Sequence, residues 1–124
     1  MDPAGRLNAP PRRRGRRVRL AALADIADGT ARGFQYEAGR TLRRVVVLRS
    51  GDAVTGFADA CPHMGVPLPW HADDYLTPDG RHLRCASHGA LFDREGLCVF
   101  GPCKDKRLSP QRLEVVDGIV WLLG

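Results

Sequence analysis

Two short stretches of this chain each offer a soft sulfur ligand and an imidazole. "CPHMGVPLPW" runs from Cys61 to Trp70 and places Cys61 and His63 two residues apart. "RCASHGALFD" runs from Arg84 to Asp93 and places Cys85 and His88 three apart. Between His63 and Cys85 lie 21 residues. Prolines and glycines around both pairs disfavour helix and regular strand, so each pair belongs to a tight loop. Gly65 and Gly89 follow the histidines, where a ligand loop needs unusual backbone angles or close approach to a metal group. Thiolates suit iron–sulfur clusters and zinc, and imidazole suits several metals.

The elements that carry these loops read as short strands and turns. "VRLAAL" (18–23) reads as a first strand, followed by a turn over Asp25–Gly29. "TLRRVVVLR" (41–49) is rich in β-branched residues; "SGD" (50–52) turns it into "AVTGFADA" (53–60), a hairpin that delivers the chain to Cys61. "RHLRC" (81–85) and "GALFD" (89–93) flank the second loop, and "REG" (94–96) turns into "LCVF" (97–100). "RLEVV" (112–116), the turn "DG" and "IVWLL" (119–123) form a closing hairpin. No three-turn helical periodicity and no internal repeat is visible, so the expected class is all-β, in one domain of 124 residues.

Charge divides the chain. Its net charge is +5, yet seven of its 19 basic residues fall within the first 19 positions, against the single acid Asp2. The body is therefore near neutral. "APPRRRGRRVRL" combines prolines with a like-charge block, so residues 1–17 read as a basic, disordered, solvated tail and 18–124 as the folded domain. A twin-arginine export signal would need an unbroken apolar region after Arg16–Arg17, and Asp25 and Asp28 interrupt it. No stretch approaches the roughly 18 apolar residues of a membrane span. The expectation is a cytoplasmic protein with neither a membrane nor a nucleic-acid partner.

Ligand count alone leaves two metal centres open. A structural zinc takes two Cys and two His in a closed tetrahedron. A Rieske [2Fe–2S] cluster takes two Cys on one iron and two His on the other. Zinc knuckles usually pair like ligands, whereas each loop here carries a mixed pair, as two loops that both reach both irons must.

The stretch from Ala60 to Gly101 resembles the Rieske iron–sulfur domain family, and the body from Val18 resembles small Rieske-type ferredoxins of dioxygenase systems. The resemblance rests on "CPH" followed by "GVPL", on "CASHGALFD", on the turn "REG" and on "FGP" at 100–102. It implies stacked antiparallel sheets with a cluster-binding subdomain at one tip. It implies a [2Fe–2S] cluster held by Cys61 and Cys85 on the inner iron and by His63 and His88 on the outer, exposed iron. It also implies a third covering loop at Gly101–Pro102. The chain departs from compact ferredoxins in a longer inter-loop stretch, "HADDYLTPDGR" (71–81), and in Ser87, where an aromatic is usual.

Within the family, respiratory Rieske proteins join the ligand loops by a disulfide, whose cysteines would fall at Val66 and Ser87. The same proteins place hydroxyl donors where this chain has Ala90 and Phe92. Donors near the sulfurs stabilise the reduced cluster and raise the potential, so the resemblance implies a low-potential, ferredoxin-type centre.

The remaining residues have plainer readings. His71 and His82 read as solvated, Trp70 as packing, Asp93 and Glu95 as turn residues, and Cys98 and Cys103 as buried thiols rather than a disulfide. Nothing in the sequence forms a nucleophile–base pair, a 2-His-1-carboxylate site or a Gly-x-Gly-x-x-Gly loop. The resemblance therefore implies an electron-transfer protein rather than an enzyme, moving single electrons from a reductase to an oxygenase-type partner through transient contacts. The alternatives are the small Rieske subunit of a nitrite-reductase-like enzyme and, further off, a Cys2His2 zinc module.

Overall fold

Four consecutive apolar residues, Val45, Val46, Val47 and Leu48, lie at the centre of the longest strand, and all four are buried. Successive side chains on a strand point to opposite faces, so a strand buried at every position must be covered on both sides. Val46 and Leu48 join one apolar cluster, with Phe57, Phe92 and Leu108, while Val47 joins a second, with Ile26 and Val120. A middle sheet between two apolar layers follows from that one segment.

The computed structural model describes residues 17–62, 67–69, 73–86 and 89–123. Strands β1 (Arg17–Ala22), β10 (Ile119–Leu123) and β9 (Leu113–Val116) form the first sheet, in the order β1-β10-β9. Strands β2 (Ala31–Ala38), β3 (Thr41–Ser50), β4 (Ala53–Ala58) and β8 (Pro110–Gln111) form the middle sheet in that order. The third sheet is small: β5 (Leu83–Arg84), β6 (Leu91–Phe92) and β7 (Cys98–Phe100). All pairings between these strands are antiparallel. The described residues contain one single-turn 3-10 helix, Leu23–Asp25, and no α-helix. The all-β, stacked-sheet class read from the sequence is the class observed.

Two differences from the sequence reading have physical causes. The first strand begins at Arg17, within the segment read as tail. Arg17 pairs with Leu123, donates to Glu114 Oε2 at 3.2 Å and stacks over the Trp121 ring at 4.7 Å. Its long side chain covers the sheet, so the charge run enters the fold one residue early. Residues 1–16 lie outside the described residues.

The second difference is β2, which the pattern did not reveal. "ARGFQYEA" alternates poorly because Gly33 interrupts it. The strand nonetheless pairs with β3 along its whole length, Ala31 with Leu48 through Ala38 with Thr41. Gly33 is required there: a Cβ would lie 1.8 Å from the Tyr75 hydroxyl. A glycine inside a strand marks another group's close approach.

Candidate metal centre

The β3–β4 hairpin turns through Gly51, at φ 63°, and sends β4 towards Asp59, Ala60 and Cys61. Cys61 is buried at the end of this run. The second candidate loop leaves β5 at Cys85 and is closed by its own backbone. Cys85 N–H donates to the Ala90 carbonyl at 2.9 Å, and Gly89 N–H donates to the Cys85 carbonyl at 2.8 Å. Gly89 adopts φ 71°, which a side chain would resist, so a glycine after His88 is a backbone requirement.

Among the described residues, a backbone hydrogen bond ties the two loops. Ala86 N–H donates to the Leu68 carbonyl at 2.8 Å. Leu68 is itself anchored, since its N–H donates to Asp59 Oδ1 at 2.8 Å. The segment from Asp59 to Leu68 is thus clamped at both ends by one carboxylate.

That carboxylate is the largest feature that sequence reasoning missed. Asp59 is the only polar residue buried among the described core positions. Its Oδ2 accepts from the Tyr75 hydroxyl at 2.6 Å and from Arg44 Nε at 3.0 Å. Burying a charge is costly unless it is paired and hydrogen-bonded, and Asp59 is both. Burial above all, then the Asp59 charge and hydrogen bond, hold the Tyr75 phenol well above its usual range. Tyr75 was the available signal: it is the sole aromatic in the polar stretch between the loops.

That stretch packs against the body rather than projecting from it. Tyr75 is fully buried, Asp73 Oδ1 accepts from Gly33 N–H at 2.9 Å, and Arg84 N–H donates to the Tyr75 carbonyl at 2.7 Å. His82, read as solvated, is half-buried, with its backbone bonded to Thr77. Asp93 is a turn residue: its Oδ1 accepts from Glu95 N–H and Leu97 N–H at 2.9 and 3.0 Å.

A third loop lies over the second. Gly101 adopts φ 104°, and a Cβ on it would sit 2.8 Å from Ala90 Cα. Cys98 and Cys103 bracket this loop, both fully buried, with their sulfurs 3.2 Å apart. Burial first, then the sulfurs of Cys98 and Cys61, push the Cys103 thiol up to about 12.

The structure therefore brings Cys61 and Cys85 into one buried cluster with Cys98 and Cys103. His63 and His88 lie outside the described residues, as do Val66, Trp70, His71 and Ser87. The described half of the donor set fits an iron–sulfur group. Two buried thiols stand on separate, mutually bonded segments, the second turned by its own backbone bonds and the first anchored through Asp59, in apolar surroundings that limit solvent access to bound metal.

Comparison with known proteins agrees. The Rieske [2Fe-2S] domain family model matches residues 16–117. The cytochrome b6-f complex iron-sulfur subunit of Chlorobaculum tepidum is 25% identical over 120 residues, covering 94% of this chain and 60% of that protein. The menaquinol:cytochrome c reductase iron-sulfur subunit of Bacillus subtilis is 26% identical over 80 residues, covering 64% of this chain and 46% of that protein. The chain thus spans about half the length of the curated relatives it matches. Among solved structures, a chain of the complex between reduced oxygenase and oxidized ferredoxin in carbazole 1,9a-dioxygenase is 26% identical with TM-score 0.67, covering 87% of this chain and 93% of that one. The ferredoxin of carbazole 1,9a-dioxygenase from Nocardioides aromaticivorans IC177 shares the fold, with 21% identity, TM-score 0.67 and coverage of 88% and 98%.

Proposed function

The chain belongs to the Rieske [2Fe–2S] domain family and takes a Rieske-type cluster, and from that premise we propose that it is a ferredoxin-type, single-electron carrier that serves an oxygenase-type enzyme. Cys61 and Cys85 hold the inner iron, and His63 and His88 hold the outer one. When bound, the cluster accepts and releases one electron at a time. The chain's own residues fix the loops that hold it. Asp59 clamps the first loop, the Ala86–Leu68 hydrogen bond joins the first to the second, and Gly101 packs the third onto Ala90.

The observation that carries this reading is the joint burial of Cys61 and Cys85 on two bonded loops. It supports a shared metal group rather than two independent thiols. The choice of a ferredoxin within the family rests on Ala90 and Phe92, both fully buried and neither able to donate a hydroxyl hydrogen bond. Val66 and Ser87 add that no inter-loop disulfide can form at those positions. An oxygenase is the favoured acceptor because the similar solved chain comes from an oxygenase–ferredoxin complex. A reductase donor, transient contacts and a cytoplasmic site complete the proposal. No helix among the described residues is long and apolar enough to cross a membrane.

A respiratory-type subunit is the second reading, favoured by the curated relatives. One experiment separates the readings. Purified protein should be red-brown, with about two irons and two sulfides per chain, and a reductase should reduce it while an oxygenase reoxidises it. Stoichiometric zinc in a colourless sample would overturn the cluster reading. Electron delivery only to a cytochrome c-type acceptor would overturn the ferredoxin reading.

A further inference from the structure

Cys98 and Cys103 are thiols in this structure, and both are fully buried. The Cys103 thiol donates to Cys98 Sγ at 3.2 Å, and the Cys98 thiol donates to the Phe100 carbonyl at 3.3 Å. A disulfide holds its sulfurs about 2.05 Å apart, so only about 1.2 Å separates this pair from bonding distance.

The backbone keeps the two residues together. Cys98 stands in β7 opposite Phe92. Its N–H donates to the Lys106 carbonyl at 2.8 Å, and its carbonyl accepts from Asp105 N–H at 2.9 Å. The Cys103 carbonyl accepts from Lys106 N–H at 2.9 Å. Sulfurs brought into contact by such a frame need little backbone movement to bond.

We propose that Cys98 and Cys103 form a dithiol–disulfide site, which a low-molecular-weight organic disulfide oxidises to an internal cross-link across the base of the third loop. The reaction is thiol–disulfide exchange. Both cysteine S–H bonds and the S–S bond of the oxidant break, and the Cys98–Cys103 bond forms. Both hydrogens leave on two small thiols, so the cysteines lose two electrons and the oxidant gains two. Val99 and Phe100, on the span between the cysteines, are 39% and 64% exposed. A local opening of that span, short of global unfolding, admits the oxidant. In a reducing compartment the pair stays open. The consequence is positional: Gly101 lies against Ala90, so a cross-link at the ends of Val99–Pro102 fastens this cover over the second candidate loop. The inference goes beyond electron transfer and does not depend on it.

The test is a thiol map of the full chain by mass spectrometry. One sample is kept with a reductant and another is incubated with hydroxyethyl disulfide; both are then denatured, alkylated and digested. The reduced sample should alkylate at all four cysteines. The oxidised sample should alkylate at Cys61 and Cys85, with Cys98 and Cys103 recovered in one cross-linked peptide and the visible spectrum retained. Cys103→Ser removes the partner sulfur, so Cys98 should show no internal cross-link after the same treatment. Four alkylated cysteines in the oxidised wild type overturn the inference. So does a cross-link through Cys61 or Cys85, or loss of the cluster spectrum as the Cys98–Cys103 bond forms. Iron content is read in parallel: wild type without iron fails the cluster assignment, while the peptide map still decides the pair.

Discussion

The Tyr75 hydroxyl donates to Asp59 Oδ2 at 2.6 Å, joining the polar stretch between the candidate loops to the base of the first one. The other oxygen of the same carboxylate accepts from Leu68 N–H, beyond Cys61 and His63. Arg44, from the middle strand β3, supplies the opposite charge at 3.0 Å. Prolines and glycines supply no strand ladder of their own, so this triad anchors the described ends of the segment, Asp59 and Leu68.

Removing the carboxylate should therefore cost stability and metal together. Asp59→Ala leaves the Leu68 N–H and the Tyr75 hydroxyl without their acceptor, and a buried donor left unsatisfied costs about 1–3 kcal/mol. We expect a lower urea midpoint and reduced iron content in Asp59→Ala. Full cluster loading at wild-type stability would show that the loop holds itself.

Tyr75 gives the same network a pH signature. Its phenol is raised, first by burial and then by Asp59. A raised phenol pKa means that the folded chain keeps its proton where the unfolded chain, titrating near 10, releases it. The stability it lends is fully present below pH ~10 and falls above it, by up to about 1.4 kcal/mol per pH unit. Tyr75→Phe should cost about 1.5–3 kcal/mol at neutral pH, the range for a hydrogen bond to a charged group. It should also decline less steeply than wild type between pH 10 and 11. Parallel declines in urea titrations of the two proteins would remove the phenol from the account.

The parts of this architecture legible in the sequence are those encoded locally. Val45 to Leu48 announced a strand and Asp117–Gly118 a hairpin turn, and Cys61 and Cys85 fall at buried positions outside the strands. Strand β2 and the Asp59–Tyr75–Arg44 triad were not legible, because each depends on partners far apart in sequence. Gly33 reads as a strand breaker until Tyr75, 42 positions later, is seen to occupy the space of its missing side chain. Asp59 reads as a strand-end acid until its three donors converge on it.

That complementarity can be tested directly. Gly33→Ala places a Cβ 1.8 Å from the Tyr75 oxygen and 2.9 Å from the ring carbon that bears it. Overpacking of this kind costs about 1–3 kcal/mol or more. Adding Tyr75→Phe removes the closest clashing atom, so the double variant should be more stable than the sum of the two single losses allows. Strict additivity in a double-mutant cycle would place the strain elsewhere.

The arginine run is predicted to be separable from the fold up to Arg16. Deleting residues 1–16 should leave the cluster spectrum unchanged and the melting temperature nearly so. Extending the deletion through Arg17 removes a β1 pairing, an exposed ion pair with Glu114 and the contact over Trp121. Exposed pairs contribute about 0–1 kcal/mol, so the longer deletion should lower the melting temperature by only a few degrees. Loss of cluster in the shorter deletion would make the tail structural.

The sharpest prediction concerns the second loop. Ala90 and Phe92 are both fully buried, Ala90 beneath Gly101 and Phe92 in β6 between Leu83 and Cys98. By resemblance to the family, these are the positions where high-potential members carry hydroxyl donors. Reduction adds a negative charge to the cluster, so a donor added there helps the reduced form more than the oxidised one. A differential gain of about 1 kcal/mol, modest for a hydrogen bond to a charged group, corresponds to roughly 40 mV for one electron. Ala90→Ser and Phe92→Tyr should each raise the midpoint potential by about that much. Wild type should sit near the lower end of the Rieske range of about −150 to +300 mV. Crowding sets the order of ease: Ala90→Ser adds one oxygen close under the Gly101 backbone, whereas Phe92→Tyr must extend a ring already enclosed. The serine variant is therefore the cleaner measurement, and the tyrosine variant should also lose some stability. A wild-type potential near +300 mV, or no upward shift from either substitution in cluster-loaded protein, would return the chain to the respiratory type of its curated relatives.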